Sequence, residues 1–496
     1  MKVLLAGFNV DLEALKAYKN QNITLTPESL SAAYARISRS PKAVDALRSE
    51  AREEVEKARK SNRTIIFEMG HHSIAEHAIF NFDIIGISRR AVEELEKFRL
   101  CSYTEKSQRY VTLRGDFVIP EELKKTDILS DYLNIIRAQN NFYKILFDKI
   151  KKYASKRYPH LTKSKKGQRT LENISKEDAR YILSLATQTQ LGATINARNL
   201  ELMMRRFASH RLSELNKLGK KFFTLVKKIA PSIILFYESN DYDEKTYPAL
   251  RQHTQSLLRK INDVQDTKDV TLIDYTPNAD NKILASLMFK VSQKAYPQCL
   301  KTVKHMSKKD KIAFFKKACR YLELYDVVLR EFEFGNITYA LTVSAACFGQ
   351  LKRHRIATLT WQDYDPNLGI TIPESIKEIG EDQTFMHIVD KTERIYNKIE
   401  KRYPGLGTYI LTNAHRKRVL VSVNLRELYH LSRLREDATA QWDIRDKAHK
   451  MSTAAKQVMP ITAQLLGSKS EYPKLYFRLF GQHPKITEVP PPESIC

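Results

Sequence analysis

Residues 97–110 read KFRLCSYTEKSQRY, and residues 353–366 read RHRIATLTWQDYDP. Set 256 positions apart, Arg99 meets Arg355, Ser102 meets Thr358 and Thr104 meets Thr360. The same alignment puts Phe98 against His354, Ser107 against Asp363 and Arg109 against Asp365. One stretch keeps a basic triplet. The other keeps a hydroxyl and a guanidinium, a pairing suited to gripping an anion.

The repeat extends in both directions. LSAAYARIS (30–38) answers ILASLMFKVS (283–292), and RYILSLATQTQLGATINARNL (180–200) answers TYILTNAHRKRVLVSVNLREL (408–428) at an offset of 228. The offset falls because the first copy has a longer middle, which holds the basic stretch KKYASKRYPHLTKSKKGQR (151–169). Self-similarity over such spans marks a tandem duplication. The expected organisation is a first copy over 1–240, a linker over 241–268, a second copy over 269–482 and a Pro-rich tail over 483–496. Each copy reads as mixed α/β (α+β) and helix-rich. MKVLLAGF opens as a strand rather than a secretory signal, AIFNFDIIGIS (78–88) is a strand, and VTLIDY (270–275) restarts the pattern. SPKAVDALRSEAREEVEKARKSN (40–62) reads as one helix capped at Ser40. NARNLELMMRRF and NLRELYHLSRLRED read as helices.

Composition narrows the class. The chain has 496 residues, and no apolar run is long enough to span a bilayer. Five scattered cysteines form no CxxC pair or zinc spacing, which suggests a reduced, cytoplasmic protein. The formal charge of +26 suits nucleic acid or phosphorylated small molecules, and it equally suits a solvated lysine-rich surface.

Four constellations carry chemistry. Arg353-His354-Arg355, with Gln350 three residues earlier, can grip a diphosphate or an electron-rich ring. Glu105, Ser107 and Arg109 alternate, so an extended segment would line them along one face beside Gln108. Asn424, Arg426, His430 and Arg435 lie along one helix, and such groups are costly to bury without a polar ligand. His71, Ser73, Glu76 and His77 cluster without HExxH spacing, so no metal is expected. Cys101 reads as a packing residue, and Ser107 as a hydrogen-bonding group rather than a nucleophile.

In order and spacing these segments resemble the flavin-dependent thymidylate synthases (the ThyX family), with two fused copies spanning nearly the whole chain. The resemblance rests on His71, Ser73, Glu76 and His77; Gln350 to Arg355; Glu105, Ser107, Arg109 and Tyr110; Arg180; Asn424 and Arg426; Arg435; and Ala440-Gln441. It implies a homotetrameric ancestor whose sites draw on several subunits. It implies FAD contacts from Ser73, Glu105, Arg353, His354, Arg355, Asn424, Arg426 and His430. It implies dUMP contacts from Glu105, Ser107, Gln108, Arg109, Arg180, Gln350 and Arg353, with Arg435 stabilising the ionised uracil as the catalytic group. The implied reaction transfers a methylene carbon from methylenetetrahydrofolate to dUMP, with reduction by flavin and NADPH. A methylase or hydroxymethylase of another uracil nucleotide, or a non-catalytic RNA-binding relative, remains compatible with the same residues.

The departures from the family pattern are complementary. The first copy has Glu94 for the Gln, Phe98 in the triplet and Phe207 for the uracil Arg. The second has Trp361, Asp363 and Asp365 in place of the clamp, and Thr408 in place of Arg180. An aspartate near 4 Å from a phosphate repels it by roughly 4 kcal/mol at an effective dielectric near 20. The chain is therefore expected to keep one composite site using both copies, and to form a homodimer that mimics a four-domain assembly. Small-molecule substrates, rather than nucleic acid or membrane, are its expected partners.

Overall fold

The structure, a computed structural model, describes residues 1–18, 24–111, 113, 115–261 and 268–487. Parts of the expected linker (262–267) and tail (488–496) lie outside the described residues. Two compact units emerge: Met1–Asp263 with Ile372–Asn413, and Val264–Thr371 with Ala414–Cys496.

In the first unit, β1 (Lys2–Phe8), β2 (Ile79–Ser88), β3 (Ser102–Glu105) and β4 (Gln188–Asn196) form an antiparallel sheet in the order β1-β2-β4-β3. Period two governs β2. Phe80, Phe82 and Ile84 are buried, while Asn81, Asp83 and Ile85 face outward. Each fully buried Phe contributes about 1.5–3 kcal/mol, and Phe82 meets Phe222 of the helix Ser213–Val226 at 4.6 Å between ring centres. The register slips between Ile85 and Ile87, where Gly86 has φ +75°, a bulge conformation that a side chain would strain. At the end of β2 the Ser88 hydroxyl accepts the Ala91 N–H at 3.0 Å and so starts the helix Arg89–Leu95.

The long helices Leu129–Arg157 and Asp382–Arg402 pack within this unit, where Gln139 Nε2 donates to Thr392 Oγ1 at 2.9 Å. Ser184 pairs antiparallel with Thr412. These two residues are equivalents at the offset of 228, so the two segments meet as like with like. Such self-pairing is what a local two-fold relation produces.

In the second unit, β5 (Val270–Tyr275), β6 (Asn336–Ser344), β7 (Thr358–Trp361) and β8 (Arg416–Asn424) repeat the plan, in the order β5-β6-β8-β7. Ser344 caps the helix Ala345–Leu351 through the Cys347 N–H at 3.0 Å, as Ser88 does in the first unit. Phe332, Tyr339, Phe348, Val421, Leu428 and Met451 belong to one core. The fold is helix-rich α+β in two copies, as the sequence predicts.

Two local expectations fail. The stretch 40–62 is two helices, Val44–Glu53 and Val55–Arg63, broken at Glu54 with φ −116° and ψ 64°. Ser40 does not cap them, because its hydroxyl is used in a turn that accepts the Lys42 N–H at 3.2 Å. The alternation of Glu105, Ser107 and Arg109 also ends early. β3 stops at Glu105, and the Arg109 N–H donates back to Ser107 Oγ at 3.2 Å, which turns the chain. In the join, Asp241–Leu258 is a helix, capped reciprocally by Asn240 and Asp243.

Candidate functional site

In the second unit, the triplet lies just after the helix Ala345–Leu351 and faces the helix Leu425–Arg435. His354 is buried at 3% exposure, between Arg353 and Arg355, which are exposed. Arg435 Nε lies 2.9 Å from His354 Nε2, and Glu427 Oε1 lies 3.2 Å from His354 Nδ1. An Arg Nε can only donate, so Nε2 must accept, and the ring is neutral with its proton on Nδ1, donated to Glu427. Burial lowers the His354 pKa. The Glu427 hydrogen bond opposes that shift, while Arg435 and His430 reinforce it. The His430 ring stands edge-on to His354 at 5.8 Å. Arg435 also donates to the Gln350 carbonyl at 3.3 Å. Both side-chain amide atoms of Gln350 are buried with no hydrogen-bond partner among the described residues. A buried amide left so costs about 1–3 kcal/mol, which a polar ligand would recover.

In the first unit, Arg109 forms an ion pair with Glu177, and its guanidinium lies 5.3 Å from the Tyr110 ring centre. Arg180 follows the helix Lys165–Ala179, is buried, and donates from Nε to the Glu177 carbonyl at 3.2 Å. Burial lowers the Arg180 pKa, and the Arg109 and Arg89 cations push the same way, against Tyr181 and Glu177. Its Nη2 has no partner among the described residues. Beside it, Asn413 Nδ2 donates to the Arg180 carbonyl at 2.9 Å and to Gln108 Oε1 at 3.3 Å. Gln108 Nε2 and Asn413 Oδ1 are also buried without partners among the described residues. The open Nη2 donor of Arg180, which feels the charge of the Arg109 cation, and the Nε2 donor of Gln108, next to Arg109 in sequence, are chemically suited to a phosphorylated ligand.

Equivalent positions differ between the two copies. The contact that is His354–Arg435 in the second copy is Phe98–Phe207 in the first, edge-to-face at 5.8 Å. Both members differ between the copies, a polar pair in one and an aromatic pair in the other. Thr408, which stands at the Arg180 position, spends its hydroxyl on the Gly405 carbonyl at 2.7 Å. Asp365, at the Arg109 position, caps the turn Pro366–Leu368 by accepting the Asn367 N–H at 2.9 Å. In the second unit Lys417 is 1% exposed, with its ammonium 3.6 Å from the Phe348 ring centre, 4.1 Å from Tyr364 and 5.6 Å from Trp361. Trp361 and Tyr364 occupy the positions of Glu105 and Gln108.

The remaining expected residues are placed as follows. Glu105 ends β3 and Ser107 is half-buried at the turn. Ser73 is exposed on the 3-10 turn His72–His77. Asn424 caps the helix Leu425–Arg435 through the Glu427 N–H at 2.8 Å. Arg426 does not join the His354 cluster through any of these bonds. It holds Glu333 at 3.1 Å and the Val328 carbonyl at 3.0 Å. Arg198 and Glu76, the equivalents of Arg426 and Glu333, pair in the same way at 2.5 Å. Three partners escaped sequence reasoning: Glu427, Glu177 and Asn413. Only Glu427 left a signal, at helical spacing from His430. Among the described residues, no group of three or more His, Cys, Asp or Glu side chains is arranged to hold a metal ion, and no helix is long and apolar enough to cross a membrane.

Comparison with known proteins adds the relationship. A family model described as "Thymidylate synthase complementing protein" matches residues 22–232 and again 271–461. A UPF0159 protein of Chlamydia muridarum is 24% identical over 423 residues, covering 82% of this chain and 80% of its own. A flavin-dependent thymidylate synthase of Geobacter sulfurreducens is 32% identical over 219 residues, covering 42% of this chain and 82% of its own. A solved thymidylate synthase X of Helicobacter pylori, described with FAD and dUMP, is 19% identical and covers 47% of this chain and 99% of its own. The TM-score between the two is 0.29. With the family matched twice, once on each repeated sheet, this chain belongs to the thymidylate synthase complementing protein family as two fused copies.

Proposed function

We propose that this protein is a flavin-dependent thymidylate synthase, transferring a methylene carbon from methylenetetrahydrofolate to dUMP with reduction by FADH2, the flavin being reduced by NADPH. Its single site takes the phosphate clamp from the first copy (Glu105, Ser107, Gln108, Arg109, Arg180). It takes the flavin triplet and the uracil arginine from the second (Gln350, Arg353, His354, Arg355, Arg435). Ser73, Asn424, Arg426 and His430 complete the flavin contacts. A homodimer supplies a four-domain assembly. Buried thiols at Cys101, Cys299, Cys319 and Cys347 are in keeping with a reducing, cytoplasmic setting.

The observation that carries this proposal is the paired exchange of His354–Arg435 for Phe98–Phe207, set against the loss of the clamp at Thr408 and Asp365. Random decay would not spare opposite halves in the two copies. Arg109 and Arg180 hold the phosphate. Arg435 favours negative charge on the uracil ring electrostatically, without a protein nucleophile. His354, held neutral, fixes the direction of the Arg435 guanidinium. FAD, when bound, supplies the redox chemistry, and the chain supplies orientation.

The test is a purified, flavin-loaded protein. Its spectrum should bleach with NADPH and respond to dUMP, with dTMP identified by mass spectrometry. A hydroxymethylated product, or turnover with another uracil nucleotide alone, would move the assignment to a sibling reaction. Failure to bind either flavin or nucleotide would overturn it.

A further inference from the structure

The three helices after β5, namely Ala279–Lys290, Tyr296–His305 and Lys308–Cys319, are consecutive, and the first packs against both others. From Lys282 to Arg320 there are eleven Lys and Arg residues and one acidic residue, Asp310. Lys290, Lys294, Lys301, Lys304, Lys308, Lys309 and Lys317 are exposed. Among the described residues none of the eleven forms an ion pair, and Asp310 is bound to Ser307 at 2.7 Å.

The duplication supplies an internal control. The helices at the same place in the first copy, Glu28–Arg36, Val44–Glu53 and Val55–Arg63, carry nine basic and six acidic residues over 28–63. They are stitched by Lys42–Glu50, Lys57–Glu54, Arg59–Glu28 and Arg59–Glu56. A uniformly lysine-rich composition would have charged both copies alike. The basic stretch 151–169 is partly neutralised as well, by Lys151–Glu172 and Arg157–Glu378.

The apolar residues of the basic helices, among them Ile283, Leu284, Val303 and Phe315, are spent on the core. Exposed rings remain beside the cations: Phe289 at 50% exposure next to Lys290, and Tyr321 at 80% next to Arg320. Exposed rings flanked by cations suit base stacking, whereas membrane insertion needs a continuous apolar face. A like-charged second copy would be repelled, and eleven cations exceed what one nucleotide can neutralise. We infer that the helical layer 282–320 is a binding surface for a single-stranded polynucleotide, independent of the thymidylate-forming site.

Fluorescence anisotropy of a labelled mixed-sequence 20-mer RNA with the full chain tests this. The affinity should fall linearly with salt on a log–log plot. A variant carrying Lys301→Gln, Lys304→Gln, Lys308→Gln and Lys309→Gln should shallow that slope by about 2–3, at ~0.7 per phosphate contact. Tyr321→Ala should weaken binding with the slope unchanged. The matched first-copy variant, with Lys42, Lys57, Lys60 and Arg63 each changed to Gln, should bind like the parent. Absence of RNA binding at low salt would overturn the proposal. So would equal weakening by the two fourfold variants, or binding confined to vesicles of phosphatidylcholine and phosphatidylserine. Flavin binding and dTMP formation, measured on the same preparations, should be unaltered by the lysine changes, which keeps this outcome separate from that of the proposed reaction.

Discussion

At the residue scale, His354 is the pivot, because its two nitrogens have opposite duties. Nε2 accepts from Arg435, and Nδ1 donates to Glu427. Its pKa is lowered from 6.5, chiefly by burial. The unfolded chain therefore takes up the proton first as pH falls. The stability contributed by the neutral ring is fully present above about 6.5 and is lost progressively below it. A histidine-resolved nuclear magnetic resonance titration should find the His354 ring still neutral at pH 6.5, the ordinary imidazole value. Glu427→Gln should lower its pKa further, since the carboxylate is the group that raises it. A His354 that titrates with the exposed histidines would refute the tautomer assignment. Arg435→Ala should cut kcat by about 100-fold or more, the scale of removing a preorganised charge, while the dUMP dissociation constant moves only a few-fold. Arg180→Thr, which installs the second copy's own residue, should do the reverse. Losing a charge-assisted bond worth about 1.5–3 kcal/mol weakens dUMP binding roughly 10- to 100-fold by calorimetry.

At the element scale, the two copies build the same devices from different residues. Ser88 and Ser344 cap the helices that lead to the triplets, and Asn196 and Asn424 cap the helices that follow β4 and β8. Asn424 is thus committed to the backbone, whatever ligand it also meets. Asn196→Ala and Asn424→Ala should each cost about 1 kcal/mol in denaturant unfolding, with Asn424→Ala alone also disturbing flavin binding. Equal flavin affinity in both variants would remove Asn424 from the flavin site. Strands were legible from their β-branched and aromatic residues, as in β2, whereas the helix cap read at Ser40 did not form. The break at Glu54 and the turn at Ser107 were not legible: no breaking residue marks Glu54, and a serine hydroxyl that accepts the N–H two residues on, as Ser107 does, is a weak local signal.

At the scale of the whole molecule, the two copies treat equivalent positions differently. Among the described residues the first keeps buried polar atoms without partners at Gln108 and Arg180, while the second satisfies the corresponding positions internally at Thr408 and surrounds Lys417 with aromatic rings. Isothermal titration of the flavin-loaded chain should therefore give one dUMP per chain. Two equal sites would mean that both clamps survive.

The order and spacing of His71, Ser107, Arg180, Arg353 and Arg435 disclosed the family and the duplication from the sequence alone. Such motifs are local, and their chemistry is written in residue type. The sequence likewise exposed the lost positions, Phe98 and Phe207 on one side and Asp365 and Thr408 on the other. Only the tertiary structure decided that Phe98 meets Phe207 where His354 meets Arg435, that Glu427 holds the imidazole and that Asn413 spans Gln108 and Arg180. Those contacts join residues 73 to 305 positions apart, and no periodicity carries information over such distances. They arise when burial forces each polar atom to find a partner or await a ligand.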